Sequence, residues 1–327
     1  MECRAKSRPW YPSAVTLSQI SNQTRLAPPP CTGKGLIPTV SFAPESQPVV
    51  SVIVLAWRLV DPLLEALESV SRSVDAPPYE VIVVLNGALP NVRQAVRAQV
   101  AGVRVVDVEA NTGFGDGCNR GAALARGRFL LFLNDDAVVA PSMITALVTS
   151  ADSSATGQSI GAVAAVLLNG DGTIQEAGSR MVSTAGTVQL GAGIRPESPD
   201  AAPYLLRRPI DYGSGAALLV QRDVFTTIGG YDTRYRPAYF EDADLAFRLK
   251  ALGLSVILEP VARAPHLSGA STERDLRFRQ FASHRAGLAF IEHGRMYSPR
   301  HHSPTLHSTS SAWFPKRSLS PFATMIC

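Results

Sequence analysis

The chain has 327 residues, 46% hydrophobic and 18% charged, enough for one large or two small domains and too apolar for a wholly disordered chain. No run of about 18 uninterrupted apolar residues occurs, so no spanning helix is expected. The net charge of +4 does not point to nucleic acid: residues 1–50 hold five Lys/Arg against two Asp/Glu, residues 294–327 hold four and no acid, and the middle is slightly acidic.

Residues 1–48 are polar and Pro-rich and read as a disordered leader; the basic residues of 1–12 have no apolar run behind them, so no secretory signal is expected. Residues 49–55 (VVSVIVL) have the continuous apolar, β-branched pattern of a strand buried on both faces. Residues 61–74 follow with Leu63, Leu64, Leu67 and Val70 at helical spacing and Pro62 in the first turn. Residues 80–85 predict a second buried strand closed by Asn86-Gly87. A helix over 90–100 and a third strand over 103–108 come next. The Gly-rich segment 111–121 leads into a short helix, and residues 128–133 (RFLLFL) run as a fourth strand into Asn134-Asp135-Asp136. This alternation predicts right-handed βαβ units and an α/β fold with a mostly parallel, Rossmann-like sheet flanked by helices.

The second half is less regular. Strands are expected at 160–168, 216–220 and 256–258, and helices at 222–228, 242–252 and 276–293. Residues 185–209 read as a loop or short hairpin. After Tyr297 the chain turns Ser/Pro/His-rich and reads as a disordered tail over 298–327. One domain therefore spans 49–297, with 49–140 and 141–297 as its two halves. Cys3, Cys31, Cys118 and Cys327 lie far apart and form no CxxC pair, so neither a zinc knuckle nor a disulfide framework is expected. A reducing, cytoplasmic compartment follows as the expectation. The basic ends read as solvated, with attraction to an anionic membrane surface as the alternative.

Three groups of residues could carry chemistry. Asn134-Asp135-Asp136 ends a buried strand, where ligands of open α/β sheets bind. Adjacent carboxylates there repel unless a cation or donor groups are near, which suits a divalent ion; Asp136 as a helix cap remains the other reading. Glu241-Asp242-Ala243-Asp244 opens an amphipathic helix. Acids in a first turn complement the helix dipole, but three in four residues exceed that need, and one near a metal could act as a general base. Asp244 reads as an exposed first-turn acid. His266 is either structural or a further metal ligand. The turn 111–121 (NTGFGDGCNRG) could bring backbone close to a phosphate. It partly imitates the dinucleotide fingerprint through Gly113, Gly115 and Asp135, so an NAD-dependent oxidoreductase is a rival reading. His301, His302 and His307 read as solvated.

Taken together, NTGFGDGCNRG, LFLNDDAVV and GSGAALLVQRDVFTTIGGYDTRYRPAYFEDADLAFRLKALG with its following PHLSG resemble the family 2 glycosyltransferases of GT-A fold, of the bacterial rhamnosyltransferase-like kind. The resemblance covers about residues 49–293 and implies one catalytic domain, with a nucleotide-binding half over 49–140 and an acceptor and catalytic half over 141–297. It implies sugar transfer with inversion from a nucleotide-diphosphate donor, dTDP- or UDP-linked, to a hydroxyl of a glycan or lipid-linked glycan in cell-envelope polysaccharide synthesis, with Mg²⁺ or Mn²⁺. It implies metal binding by Asp136, Asn134 and His266, a base at Asp242 and acceptor orientation by Glu241. It implies donor contacts from Ala56, Asn86, Asn111, Gly113, Phe114, Asn119, Asp135, Gly213, Ser214 and Gly215. Leu85 stands where such enzymes carry an aspartate toward the base, and Trp57-Arg58 follow the first strand. A catalytically inactive sugar-nucleotide-binding or scaffold protein is the alternative, separated by a turnover assay.

Overall fold

The structure, a computed structural model, describes residues 40–153, 159–182, 186–267 and 276–297. In chain order they form β1 (Val40–Ser41), β2 (Val50–Ala56), α1 (Asp61–Ser71), β3 (Tyr79–Asn86), α2 (Pro90–Gln99), β4 (Val100–Ala101), β5 (Arg104–Val108), α3 (Phe114–Ala122), β6 (Phe129–Asn134) and α4 (Met143–Asp152). The second half adds β7 (Ile160–Leu168), β8 (Ile174–Glu176), β9 (Ser179–Met181), β10 (Thr187–Gln189), β11 (Arg208–Pro209), β12 (Ala217–Gln221), α5 (Arg222–Thr227), α6 (Glu241–Ala251), β13 (Ser255–Pro265) and α7 (Leu276–Tyr297). None of the described helices is long and apolar enough to cross a membrane.

One sheet in the order β11-β13-β7-β12-β6-β2-β3-β5, with β8 added to β7, carries the fold. Strands β6, β2, β3 and β5 run parallel, as do β7 and β13, while β12 lies antiparallel between β6 and β7. The chain builds outward from β2 to β3 to β5 and then returns to place β6 on the other side of β2. The carboxyl ends of β2 and β6 therefore flank the point where the strand order reverses, the place where open α/β sheets leave a crevice.

Strand alternation assigns each side chain to a face. Val52, Val54, Val83, Leu131 and Leu133 pack with Leu63 and Leu67 of α1, Val92 and Val96 of α2 and Leu147 of α4. Ile53, Val84, Leu130 and Phe132 pack on the opposite face with Cys118 of α3, Phe225 of α5, Leu245 and Leu249 of α6 and Phe290 of α7. Full burial of each such side chain contributes about 1.5–3 kcal/mol, so a sheet covered on both faces is the stable arrangement for these near-continuous apolar runs. Helix α3 sits unusually close to the sheet. A Cβ on Gly121 would fall 2.5 Å from Ile53, and one on Gly117 2.5 Å from Leu55.

Several boundaries differ from expectation. The packed region starts before residue 49: β1 pairs with β4, the Phe42 N–H donates to the Ala101 carbonyl at 3.0 Å, and Val40 and Phe42 are buried. A two-residue strand among prolines has no periodicity to reveal it. The rest of the expected leader and the tail after Tyr297 lie outside the described residues. The strand expected at 256–258 extends to Pro265, with a register shift between Glu259 and Arg263 that accommodates Pro260. Within 185–209 the described residues include the second strand of a hairpin, β9 with β10, and β11 at the sheet edge.

Candidate functional site

The strand-end carboxylates sit at the β2/β6 crevice. Asp135 is buried and accepts from the Trp57 N–H at 3.2 Å. Burial, with the Asp136 charge beside it, raises the Asp135 carboxyl to about 7. Asp136 is also buried, and its Oδ1 lies 3.1 Å from His266 Nε2. The end of β13 builds this contact. His266 bridges to Ala137, the Val138 N–H donates to the Pro265 carbonyl, and the Leu267 N–H donates to the Asp136 carbonyl at 3.1 Å. Asn134 Nδ2 reaches the same His266 nitrogen at 3.0 Å. The three residues expected to share a metal are thus brought together. The donor set of one carboxylate, one imidazole and one amide is too small for a closed cage, and no cluster of three or more His, Cys, Asp and Glu occurs among the described residues. It fits a divalent ion that keeps water and substrate phosphate as its other ligands.

The second corner is the start of α6. Tyr239 and Phe240 both have positive φ, 80° and 68°, immediately before Glu241. Residues with side chains pay of order 1–3 kcal/mol each in this region, and such strain persists where the surroundings hold it. Here Phe240 is wedged against Phe290 of α7, ring centroids 5.5 Å apart, over Gly287. The kink points Glu241 and Asp242 inward. Glu241 is buried with Oε2 unpartnered among the described residues, and burial, then the Asp242 charge, drives its carboxyl well above the usual range. Asp242 is half-buried, and its Oδ1 is also unpartnered there. Burial raises its carboxyl to about 6, opposed by the nearby Gly215 N–H and Tyr231 hydroxyl. The third acid behaves differently from expectation. Asp244 is buried rather than exposed, because Arg248 and Tyr235 close over it.

The segment Gly213–Ala216 joins the two corners. The Asn134 N–H donates to the Ala216 carbonyl at 3.1 Å. The Ser214 N–H donates to Glu176 Oε1 at 3.1 Å. A Cβ on Gly215 would come within 2.7 Å of Asp242 Oδ1 and 2.9 Å of the Phe114 ring. Phe114, expected at the donor, therefore borders both the loop and the candidate base.

Other expected donor residues have partners inside the protein. Asn86 at the end of β3 donates to Asn111 Oδ1 and the Gly113 carbonyl and accepts from the Thr112 N–H and hydroxyl. Asn111 Oδ1 in turn accepts from the Gly113 N–H at 2.8 Å. Asn119 donates to the Tyr231 carbonyl and accepts from its N–H, both at 2.8 Å. The amides of Asn86 and Asn119 thus shape the crevice wall. Of the apparent dinucleotide fingerprint, Gly113 and Gly115 admit Pro237 and Tyr231, whose atoms would lie 2.8 and 2.9 Å from an added Cβ, and Asp135 accepts from the Trp57 N–H, so each member has a structural explanation. Ala56 is buried at the end of β2, and Leu85, fully buried, faces the core rather than a base.

Three site residues carried no signal of their own in the sequence. Glu176 is buried at Ser214, and burial, with the Asp242 charge adding to it, raises its carboxyl to about 7. Gln175 holds His266, with Oε1 2.7 Å from Nδ1. Tyr231 is buried among Phe114, Phe132 and Phe225, and its hydroxyl, unpartnered among the described residues, lowers the Asp242 carboxyl against the effect of burial. The first two come from a three-residue strand with no motif. The third was visible only as part of GGYD.

Comparison with known proteins agrees with this geometry. Residues 51–207 match the model of glycosyl transferase family 2. The O-antigen biosynthesis protein RfbC of Myxococcus xanthus is 31% identical over 243 residues, 72% of this chain. The match spans only 18% of that longer protein. The N-acetylglucosaminyl-diphospho-decaprenol L-rhamnosyltransferase of Mycobacterium tuberculosis (strain H37Rv) is 27% identical over 262 residues, covering 74% of this chain and 84% of its own length. Among solved structures, the mannosyltransferase PcManGT from Pyrobaculum calidifontis, in complex with GDP-Man and Mn²⁺, superposes with a TM-score of 0.53 at 18% identity, covering 76% of this chain and 66% of its own. GalNAc-T7 with UDP, GalNAc and Mn²⁺ gives 0.51 at 14% identity, covering 68% and 44%. These two carry the fold alone, and both are GT-A enzymes. The strand-end aspartates at a topological switch, the acidic start of α6 and the family match lead to one conclusion: residues 51–207 are a glycosyl transferase family 2 region, and the fold is GT-A.

Proposed function

We propose that this protein moves a sugar from a nucleotide-diphosphate donor, dTDP- or UDP-linked with rhamnose as the leading sugar, to a hydroxyl of a glycan or lipid-linked glycan in cell-envelope polysaccharide synthesis. The observation that carries the reading is Asp242: a carboxylate raised to about 6, with Oδ1 unpartnered among the described residues, close against Gly215 at the end of a strained turn. A group with this affinity for a proton is well matched to general-base work near neutral pH. The names of the myxococcal and mycobacterial relatives support the polymer and the sugar. The diphospho-decaprenol in the latter's name supports a lipid-linked acceptor, reached at the cytoplasmic face of the membrane.

In this reading residues 49–140 hold the nucleotide and residues 141–297 present acceptor and base. Asn111, Gly113, Phe114, Asp135 and the Gly213–Gly215 loop border the donor, in a crevice whose wall Asn86 and Asn119 brace. Asp136 and His266, with Asn134 beside them, hold Mg²⁺ or Mn²⁺, which when bound offsets charge on the diphosphate leaving group. Asp242 takes the proton of the acceptor hydroxyl as its oxygen bonds to the anomeric carbon. The bond from that carbon to the diphosphate breaks on the opposite side, so configuration inverts. Glu241, kept neutral by burial and by the Asp242 charge, can donate a hydrogen bond that orients the acceptor.

The test is turnover. Purified protein with Mn²⁺ is offered dTDP- and UDP-sugars and a polyprenyl-diphosphate-linked glycan, and product is read by mass spectrometry. Transfer that disappears in Asp242→Asn supports the proposal. Donor binding without transfer across the panel returns the chain to a binding protein.

A further inference from the structure

Gln175 lies outside every motif, yet it contacts His266 twice. Its Oε1 is 2.7 Å from Nδ1 of the ring, and its Nε2 donates to the His266 carbonyl at 3.1 Å. The same Nε2 donates to Asn169 Oδ1 at 3.1 Å. Asn169 is itself oriented, because its Nδ2 donates to Thr173 Oγ1 at 3.0 Å and to the Ile174 carbonyl at 3.5 Å. The Thr173 hydroxyl in turn donates to Asp171 Oδ1 at 2.7 Å. Backbone carbonyls can only accept, so each amide in this chain has one permitted orientation. Gln175 therefore presents an oxygen, not an NH₂, to the imidazole.

We infer that Gln175 is the positioning residue for His266: it holds the ring in place and fixes the tautomer with hydrogen on Nδ1. Nε2 is then left as a lone pair, beside Asp136 Oδ1 and accepting from Asn134 Nδ2 at 3.0 Å, and it is this lone pair that a cation would use. The inference rests on the metal reading above for its purpose, not for its geometry. The alternative tautomer is real for this ring. Two neighbours of Nε2 pull in opposite directions: Asp136 Oδ1, 3.1 Å away, favours hydrogen on that nitrogen, and the Asn134 amide, with Nδ2 at 3.0 Å, favours the lone pair, so the partner at Nδ1 tips the balance. Hydrogen on Nε2 would block the ligand position. Partners of this kind behind a metal-binding histidine fix its tautomer and raise its basicity.

The experiment reads the ring directly, in metal-free full-length protein. Histidine ¹⁵N ring shifts are recorded at about pH 8.5, above the ordinary histidine range, and His266 is assigned by its absence in His266→Asn. The expected result is hydrogen on Nδ1 in the wild type, a move to Nε2–H in Gln175→Leu, and restoration in Gln175→Glu, whose carboxylate still accepts from Nδ1–H. Gln175→Met gives a second variant without an acceptor if the leucine does not fold. Mn²⁺ affinity should fall about 10–100-fold in the Leu or Met variant and recover with Glu. Hydrogen on Nε2 in the wild type, or an unchanged tautomer in both Leu and Met variants, would overturn the inference. If the tautomer follows Gln175 while the wild type binds no Mn²⁺, the positioning role stands and the metal reading fails.

Discussion

Arg248 Nε donates to Asp244 Oδ2 at 2.7 Å one turn along α6, and both side chains are nearly inaccessible to solvent. The Tyr235 hydroxyl donates to the other oxygen of Asp244 at 3.2 Å. Glu241 and Asp242 each keep an oxygen that is unpartnered among the described residues. Three acids in one helical turn thus divide into a structural ion pair and two groups that each keep a buried oxygen in reserve.

That division sets opposite outcomes for two conservative changes. Asp244→Asn leaves the Arg248 charge buried without its counter-ion, and unfolding in urea should show a loss of about 3–5 kcal/mol. Asp242→Asn removes a proton acceptor but no buried ion pair among the described residues. It should fold normally and keep donor affinity while kcat falls about 10²-fold or more. Equal small stability losses in both, with normal turnover, would reduce the motif to a helix cap.

Proton linkage gives a second outcome. The folded protein raises Asp242 to about 6 and Glu176 to about 7, from unfolded values near 3.8 and 4.5. Groups raised in this way bind more protons folded than unfolded between those values. Their contribution is full below about pH 4 and is lost as pH rises through 6 to 7. Chemical unfolding across pH 4.5–8 should therefore show stability falling with pH in metal-free protein, and Glu176→Gln should flatten the curve. Activity should run the other way, rising through about pH 6 as Asp242 ionises.

Metal removal tests the other corner. Excess chelator should abolish transfer, and added Mn²⁺ should restore it. Asp136→Ala should weaken donor binding by calorimetry only when metal is present, since without it the carboxylate has no phosphate-linked ion to hold. Full activity in chelator would exclude the metal from the mechanism.

Gly215→Ala probes the closeness of loop and base. The added methyl would meet Asp242 Oδ1 at 2.7 Å and the Phe114 ring at 2.9 Å, so the carboxylate or the loop must shift. A misplacement of about 1 Å at reacting groups can cost about 10²-fold in rate. The expected result is a kcat loss of that order with little change in melting temperature. A silent variant would show that the base does not depend on this contact.

The sequence alone determined the sheet and the acidic landmarks. Runs such as VVSVIVL and RFLLFL are apolar on both alternating faces, and only a strand covered by two helix layers buries them, so the α/β architecture followed from local pattern. Asp135, Asp136, Glu241 and Asp242 stood out because adjacent carboxylates repel and demand an explanation. Tertiary structure decided which groups meet. His266 reaches Asp136 because the end of β13 bridges Ala137, a pairing that no local periodicity encodes. Asn86 and Asn119, expected at the donor, are bonded to residues 111–113 and to Tyr231, and Asp244 looked exposed but is buried, because a polar side chain takes whatever partner the fold brings within hydrogen-bond reach. Gln175 and Glu176 were illegible for the same reason. A three-residue strand has no period, and their roles exist only once β8 lies against β7 and the turns around it.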